Sequence, residues 1–184
     1  MPIVAETERL MLRTWQVSDL EAYARHCNQP RVMTWLGGVQ EPDELGADVD
    51  WFIECQQRFG HTLWVVERKG DGAFLGFTGL DKLRVESGEI PDLLHDQVEV
   101  GWRLRSDVWG RGYATEAAYV SLDIAFRVRR FAAIISRIHP KNAASVRLAS
   151  KMGFERSREW EAQRGLQVFR IDRKTWFASS NRGY

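Results

Sequence analysis

Two glycines separated by one residue, Gly110 and Gly112, stand just before a segment with helical periodicity that begins near Tyr113. Glycine lets backbone N–H groups approach a ligand closely, and a helix N-terminus collects unpaired N–H donors at the positive end of the helix dipole. A glycine turn that opens a helix is therefore suited to binding an anion, most often a phosphate. The alternative is a turn that only connects a strand to a helix, and the glycines alone favour it.

The spacing within residues 109–116 argues against two common nucleotide-binding motifs. The segment lacks the lysine and the following hydroxyl ligand for Mg²⁺ that the P-loop pattern GxxxxGK[ST] requires. It is also a poor match to the GxGxxG pattern of dinucleotide-binding folds. If this turn binds a phosphate, the phosphate belongs to a different kind of ligand.

A second helix is predicted to begin at Asn142-Ala143-Ala144-Ser145, after a strand-like run over residues 132–138. Asparagine is a preferred residue at a helix N-cap, and we expect Asn142 in that position. The order along the chain is thus a strand, the glycine turn, a helix, a strand and a second helix with an asparagine cap.

This order resembles the GNAT superfamily of acyl-CoA-dependent N-acetyltransferases, and within it the branch that includes the RimJ/RimL-like N-terminal acetyltransferases. The matching segments cover nearly the whole chain in the expected order: residues 7–13, 76–80, 109–116 and 142–154. The resemblance implies that the glycine turn holds the pyrophosphate of acetyl-CoA and that the helix at Asn142 flanks the pantetheine arm. It implies a set of cofactor-binding residues: Trp102, Arg103, Leu104, Trp109, Gly110, Arg111, Gly112, Tyr113, Ala114, Asn142 and Ser145.

The elements that must position these residues are strands and helices in alternation. Alternating and continuous apolar runs predict strands near residues 8–15, 62–67, 73–80, 97–104, 132–138, 155–160 and 166–172. Together with the resemblance, they predict an α+β (three-layer α/β) GNAT-like fold. Its mixed, mostly antiparallel sheet has about seven strands flanked by helices and is splayed between the fourth and fifth strands. No linker divides the chain, so we expect residues 1–184 to form one acetyltransferase domain.

Composition and charge exclude several other classes of protein. The net charge of +1 shows no electrostatic footprint for nucleic acid. The two cysteines make neither a disulfide scaffold nor a zinc set, and the four histidines lack metal-ligand spacing, so no metal is expected. No signal peptide or long apolar span is visible, which predicts a cytoplasmic protein without a membrane partner.

Glu99 is the candidate general base, because acetyl transfer to an amine requires removal of an ammonium proton. It interrupts the apolar run Val98–Trp102, and by alternation it shares a face of the strand with Gln97 and Gly101. Partial burial there would raise its pKa toward a range useful for a base that acts directly or through a water. The alternatives are a carboxylate that points to solvent or one paired with an arginine.

The candidate donor to the leaving thiolate is Ser145. Many members of the superfamily carry a tyrosine for this role on the second helix, but this chain has Ala149 at that position. In the RimL-like branch a serine is proposed instead, and Ser145 matches it. The alternative is a serine whose hydroxyl makes only a local backbone hydrogen bond.

The acceptor side is expected to include Trp35 and Trp51 as an aromatic wall, although ordinary core packing is the alternative for any single tryptophan. An acidic segment, residues 84–96, contains Glu86, Glu89, Asp92 and Asp96. It would attract a cationic amine, unless it is only a solvated loop. Nothing in the sequence selects among protein N-termini, amino acids, polyamines and antibiotics as acceptors.

These features together predict an N-acetyltransferase. It would move an acetyl group from acetyl-CoA, its cosubstrate, to a primary amine by direct attack in a ternary complex. One alternative is a non-catalytic acyl-CoA sensor on the same fold, which the alanine at position 149 favours and Glu99 opposes. Another is an acyltransferase that modifies an oxygen or uses a longer acyl chain. Such domains often pair through strands or helices, so a homodimer is also considered, but the sequence shows no interface.

Overall fold

The computed structural model describes residues 2–82, 97–162 and 165–180, with the side chains of 158–162 and 179–180 left out. Within these residues the strands are β1 (Ile3–Glu6), β2 (Leu10–Arg13), β3 (Leu63–Arg68), β4 (Ala73–Lys82), β5 (Val98–Leu104), β6 (Ala133–Ile138), β7 (Glu155–Ala162) and β8 (Leu166–Asp172). The helices are α1 (Leu20–Cys27), α2 (Pro30–Met33), α3 (Pro42–Phe59), α4 (Tyr113–Asp123), α5 (Ala143–Lys151) and α6 (Arg173–Ser180). The acidic segment 84–96 lies outside the described residues.

The chain divides into two compact units. The first unit comprises Met1–Asp81 and Gly101–Ser121, and the second comprises Lys82–Val100 and Leu122–Tyr184. The prediction that all 184 residues form one domain stays a prediction. Within the described part of the chain, no helix combines the length and the apolar character needed to cross a membrane.

The first unit contains an antiparallel meander in which β2 pairs with β1 and β3, and β3 pairs with β4. An aromatic cluster joins this meander to α1 and α3. The indole of Trp15 stacks on Phe52 with ring centroids 5.2 Å apart, and Tyr23 meets Phe77 edge-on at 5.2 Å. Burying several large rings supplies most of the hydrophobic stabilisation in a core of this kind. This core supports the end of β5, from which the glycine turn continues.

Gly76 in β4 is required by the close approach of β5. A methyl group at position 76 would lie 2.1 Å from the carbonyl oxygen of Arg103 and 2.7 Å from the Cα of Leu104. Both of these atoms belong to the backbone, so neither can move aside as a flexible side chain could. The glycine therefore allows the backbone of residues 103 and 104 to lie directly against β4.

The second unit contains the first residues of β5, which pair in parallel with β6, with Glu99 opposite Ile135. In the described residues this is the one register pair between these strands. Strand β6 pairs antiparallel with β8, and β8 with β7. Trp176 of α6 is buried and packs against Phe126, with ring centroids 5.9 Å apart.

The predicted fold class, a mixed and mostly antiparallel sheet flanked by helices, is confirmed. The described residues form eight strands rather than about seven, because Ile3–Glu6 makes a short additional strand. Four residues are too few for a reliable alternating pattern, and this segment becomes a strand by pairing with β2. Helix α6 was not predicted from the sequence either, and it contains Trp176.

Candidate active site

The glycine turn in the first unit has an open surface. Gly110 and Gly112 have φ angles of +75° and +83°, a region that glycine adopts without steric cost. A methyl group at Gly110 would meet no atom within 4 Å, and one at Gly112 would meet the Nη2 atom of Arg9 at 3.3 Å. The backbone on this side of the turn is thus accessible to a ligand.

Helix α4 begins directly after this turn, as predicted. The Glu116 N–H donates to the Gly112 carbonyl at 3.0 Å, which closes the first turn of the helix. The N–H groups of residues 113–115 precede this bond and have no acceptor inside the helix. They add to the positive end of the helix dipole, so the turn carries the chemistry of an anion site.

Arg9 and Thr7, at the start of the chain, bind to this turn and to the first turn of α4. Arg9 donates from Nη1 to the carbonyl oxygen of Arg111 at 3.0 Å and from Nε to the Glu116 carboxylate at 2.7 Å. Its guanidinium also lies 4.6 Å from the centre of the Tyr113 ring. The Thr7 hydroxyl and the Arg9 N–H donate to the other carboxylate oxygen of Glu116.

Glu116 is the acceptor at the centre of these contacts, and its side chain is 18% exposed. Burial alone would raise its pKa, but the hydrogen bonds from Thr7 and Arg9 outweigh this and lower the pKa below the ordinary value. None of these three side chains was predicted to contribute to the site. The signal was present, since Thr7 and Arg9 lie in the matching segment 7–13 and Glu116 ends the segment 109–116.

The indole of Trp109 is turned back toward the strand before it. Its Nε1 donates to the Leu104 carbonyl at 2.8 Å, and the Arg31 guanidinium lies 5.4 Å from the ring centre. The side chain is nevertheless 45% exposed. The indole thus fixes the end of the strand to the start of the glycine turn.

The three predicted residues of β5 differ in where their side chains lie. Leu104 is buried and Trp102 is half-buried, whereas Arg103 reaches into the layer of α1 and α3. The Arg103 guanidinium donates to the Tyr23 hydroxyl at 2.6 Å, and that hydroxyl donates to Asp48 at 3.0 Å. Burial raises the pKa of Tyr23, so this hydroxyl stays protonated. Arg103 is thus engaged in the core of the first unit.

Glu99, in the second unit, is paired with Arg137. One carboxylate oxygen accepts the Arg137 backbone N–H at 2.7 Å, and the other accepts Nε at 2.9 Å and Nη2 at 2.8 Å. The carboxylate is 15% exposed. This is the arginine-paired alternative considered from the sequence. These three hydrogen bonds use three of the four lone pairs of the carboxylate, which leaves one on the oxygen that accepts the backbone N–H.

Asn142 is the N-cap of α5, as predicted, and its side chain accepts the Ser145 N–H at 3.2 Å. This bond uses the backbone of Ser145, and the half-buried hydroxyl is a separate group. Ala149, one turn further along the same helix, is 0% exposed. The position at which many relatives carry a tyrosine is therefore closely packed in this chain.

The two predicted acceptor tryptophans lie on separate elements of the first unit. Trp35 follows α2 and is 36% exposed, within a segment that also exposes Leu36 and Val39. Trp51 is half-buried in α3, and its Nε1 donates to Asp81 at 3.1 Å. Trp35 is thus partly exposed, while the Trp51 indole is held by a carboxylate.

The sequence therefore located the glycine turn and the asparagine cap correctly, and the structure adds the partners of Arg103, Trp109 and Trp51, which the sequence did not indicate. Across residues 2–82, 97–162 and 165–180, no group of three or more histidine, cysteine or carboxylate side chains could hold a metal ion.

Comparison with known proteins supports an acetyltransferase. Residues 9–155 match the family model described as the acetyltransferase (GNAT) domain. The chain is 32% identical to YkkB of Bacillus subtilis (strain 168) over 158 residues, which cover 84% of this chain and 88% of that protein.

Two solved structures share the fold. The acetyltransferase from Agrobacterium tumefaciens str. C58 is 26% identical, with a TM-score of 0.79 over 93% of this chain and 94% of that one. The yncA acetyltransferase from Salmonella typhimurium, solved with its cofactor acetyl-CoA, is 20% identical. Its TM-score is 0.65 over 89% of this chain and 94% of that one. Because the family model matches residues 9–155, which is most of the chain, this chain belongs to the GNAT acetyltransferase family.

Proposed function

We propose that this protein is an N-acetyltransferase that moves an acetyl group from acetyl-CoA to a primary amine by direct attack in a ternary complex. The observation that carries the proposal is the open glycine turn at the N-terminus of α4. There, three N–H groups precede the first intrahelical hydrogen bond. Family membership and the acetyl-CoA complex of the yncA acetyltransferase support the choice of acyl donor. All 184 residues are proposed to form this one domain.

The residues of the turn fit a pyrophosphate group. The space above Gly110 is empty to 4 Å, and above Gly112 the neighbour is the end of a long arginine side chain. Backbone N–H groups of residues 110–114 are the proposed donors to the phosphates, with the α4 dipole favouring their negative charge. Trp102, Arg103 and Leu104 are proposed to contribute through their backbone, because the Arg103 side chain is engaged with Tyr23.

When bound, acetyl-CoA supplies a thioester that is already activated toward amines. The protein must then accept a proton from the amine and donate a hydrogen bond to the leaving sulfur. We assign proton acceptance to Glu99, directly or through a water, and donation to the hydroxyl of Ser145. The Arg137 guanidinium holds the Glu99 carboxylate in one orientation, which favours a defined direction of proton transfer.

The acceptor is proposed to be a small-molecule amine or a peptide N-terminus. Exposed apolar side chains at Trp35, Leu36 and Val39 offer a surface to the apolar part of such a molecule. Asp81 on Trp51 orients that indole in α3, and Trp51 is proposed as a second part of the same wall. The cytoplasmic location and the homodimer stay predictions.

A non-catalytic acyl-CoA sensor is the second candidate, and two observations favour it. Ala149 is buried at the position where, by the resemblance, many superfamily members carry the tyrosine that donates to the leaving thiolate. Glu99 is paired with an arginine. Such a protein would use the same glycine turn, so acetyl-CoA binding alone does not separate the two candidates.

Calorimetric titration with acetyl-CoA, followed by release of free thiol in the presence of a panel of amines, tests the proposal. Binding together with thiol release from at least one amine is the expected result. Binding of acetyl-CoA without release from any amine would favour the sensor, and tighter binding of longer acyl-CoAs would favour the acyltransferase of different chain length. The absence of any binding would refute the assignment of the glycine turn.

A further inference from the structure

Side chains from two segments far apart in sequence meet at the glycine turn. Thr7 and Arg9 lie more than 100 residues before Glu116, yet all three are joined by hydrogen bonds in the first unit. Arg9 also binds the carbonyl oxygen of Arg111, the residue between the two glycines. We call Thr7, Arg9 and Glu116 the clamp.

The turn needs an external constraint of this kind. Glycine loses more conformational freedom on folding than any other residue, and Gly110 and Gly112 flank a single residue. A turn built in this way samples several conformations unless neighbouring groups restrict it. The Arg111 carbonyl is bound by Arg9, and Glu116 lies in the first turn of α4, so the clamp contacts both the turn and the helix that follows it.

The clamp depends on the donor geometry of the Arg9 guanidinium more than on its charge. Arg9 and Glu116 form an ion pair with a 2.6 Å separation, so much of the positive charge of Arg9 is compensated. The planar guanidinium offers several donors in fixed directions and can also lie over an aromatic ring. Here it uses Nε, Nη1 and Nη2 toward two acceptor residues and lies over Tyr113, an arrangement that an ammonium group cannot reproduce.

We propose that Thr7, Arg9 and Glu116 are positioning residues that hold the glycine turn in the conformation that binds the pyrophosphate of acetyl-CoA. This inference rests on the proposed function. If loss of the clamp leaves about a tenth of the molecules with a competent turn, the apparent Kd for acetyl-CoA rises about tenfold.

Arg9→Lys is the main test, because it keeps the charge and removes the fork of donors. Glu116→Gln is the second variant, since it keeps the size of the side chain but replaces one of the two acceptor oxygens with an amide NH2 group, which cannot accept a hydrogen bond from Thr7 or Arg9. Arg25→Lys is the matched control. Arg25 pairs with Glu21 at 2.7 Å on the surface of α1, where both side chains are more than 60% exposed.

Two measurements test the effect of the clamp on the glycine turn, and the first needs no acetyl-CoA. Hydrogen exchange of the residue 116 amide, which donates to the Gly112 carbonyl, should be about tenfold faster in both clamp variants. Calorimetry should show the Kd for acetyl-CoA raised about tenfold in both variants, with Arg25→Lys at the wild-type value. At saturating acetyl-CoA, kcat should change by less than about twofold.

S-acetylpantetheine is an acyl donor that lacks the pyrophosphate. It distinguishes a specific loss of pyrophosphate binding from general damage to the fold. Its kcat/KM should be the same in the wild type and both clamp variants within about twofold. An equal loss with both acyl donors would overturn the proposal, as would wild-type affinity for acetyl-CoA in both clamp variants. If the wild type binds no acetyl-CoA, the proposed function fails as well, so the two failures are distinguishable.

Discussion

Replacement of Gly112 by leucine tests the assignment of the glycine turn, and its effect on stability can be worked from the structure. A non-glycine residue at a φ of +83° carries a strain of about 1–2 kcal/mol. The nearest contact of the new Cβ is the end of the Arg9 side chain at 3.3 Å, which can shift. We therefore expect Gly112→Leu to fold, with a Tm lower by about 2–4 °C for each kcal/mol of strain.

The effect of Gly112→Leu on acetyl-CoA binding should be much larger than its effect on stability. The side chain would occupy the open face of the turn, where backbone N–H groups are proposed to reach the phosphates. Hydrogen bonds to charged groups contribute about 1.5–3 kcal/mol each, so the loss of two raises the Kd by at least about 100-fold. Calorimetric titration with acetyl-CoA measures this directly, and thermal unfolding checks the fold.

Gly72→Leu is the matched control for this experiment. Gly72 lies in the turn between β3 and β4 with a φ of +67°, and a methyl group there would meet no atom within 4 Å. It should therefore show a similar loss of stability and an unchanged Kd. If Gly112→Leu binds acetyl-CoA as tightly as Gly72→Leu does, the pyrophosphate does not lie against this turn and the reasoning is refuted.

Four further predictions concern catalysis, packing and pH. Glu99→Gln should lower kcat about 100-fold with a nearly unchanged acetyl-CoA Kd, and a wild-type kcat would make Glu99 structural. Ser145→Ala should lower kcat about tenfold in the same steady-state assay, because the helix cap uses only the backbone of this residue. Gly76→Ala should cost about 3–5 kcal/mol in chemical denaturation, since the methyl would overlap the Arg103 carbonyl at 2.1 Å. The lowered pKa of Glu116 contributes stability at pH values above the ordinary value of 4.5, and this is lost as pH falls through the folded-state pKa. Wild-type unfolding free energy should therefore fall more steeply below pH 4.5 than that of Glu116→Gln, and parallel curves would contradict the role of this pair.

Features that depend on neighbours in sequence were predicted correctly. Glycines before an apolar helix predicted the turn at the start of α4, and the side chain of Asn142 caps α5 as its residue type indicates. These outcomes follow from backbone preferences and hydrogen bonds that span only a few residues.

Pairings between distant residues were not predictable in the same way. Alternation placed Glu99 on one face of its strand, but its partner Arg137 follows from the parallel register that sets Glu99 opposite Ile135. Strand β1 was missed because four residues carry too little pattern, and α6 was missed because its buried Trp176 is stabilised by a contact with Phe126. A single sequence contains no direct signal for which strand lies beside which.

The sequence by itself determined the fold class, the family resemblance and the position of the glycine turn, because periodicity, glycines and capping residues act over only a few neighbouring residues. Only the tertiary structure decided which side chains surround that turn and how Glu99 is paired. The clamp formed by Thr7, Arg9 and Glu116 exists because β2 and the start of α4 are brought together in the first unit. Contacts across more than 100 residues arise from burial of the shared core, and it is the folded chain that gives them a fixed geometry.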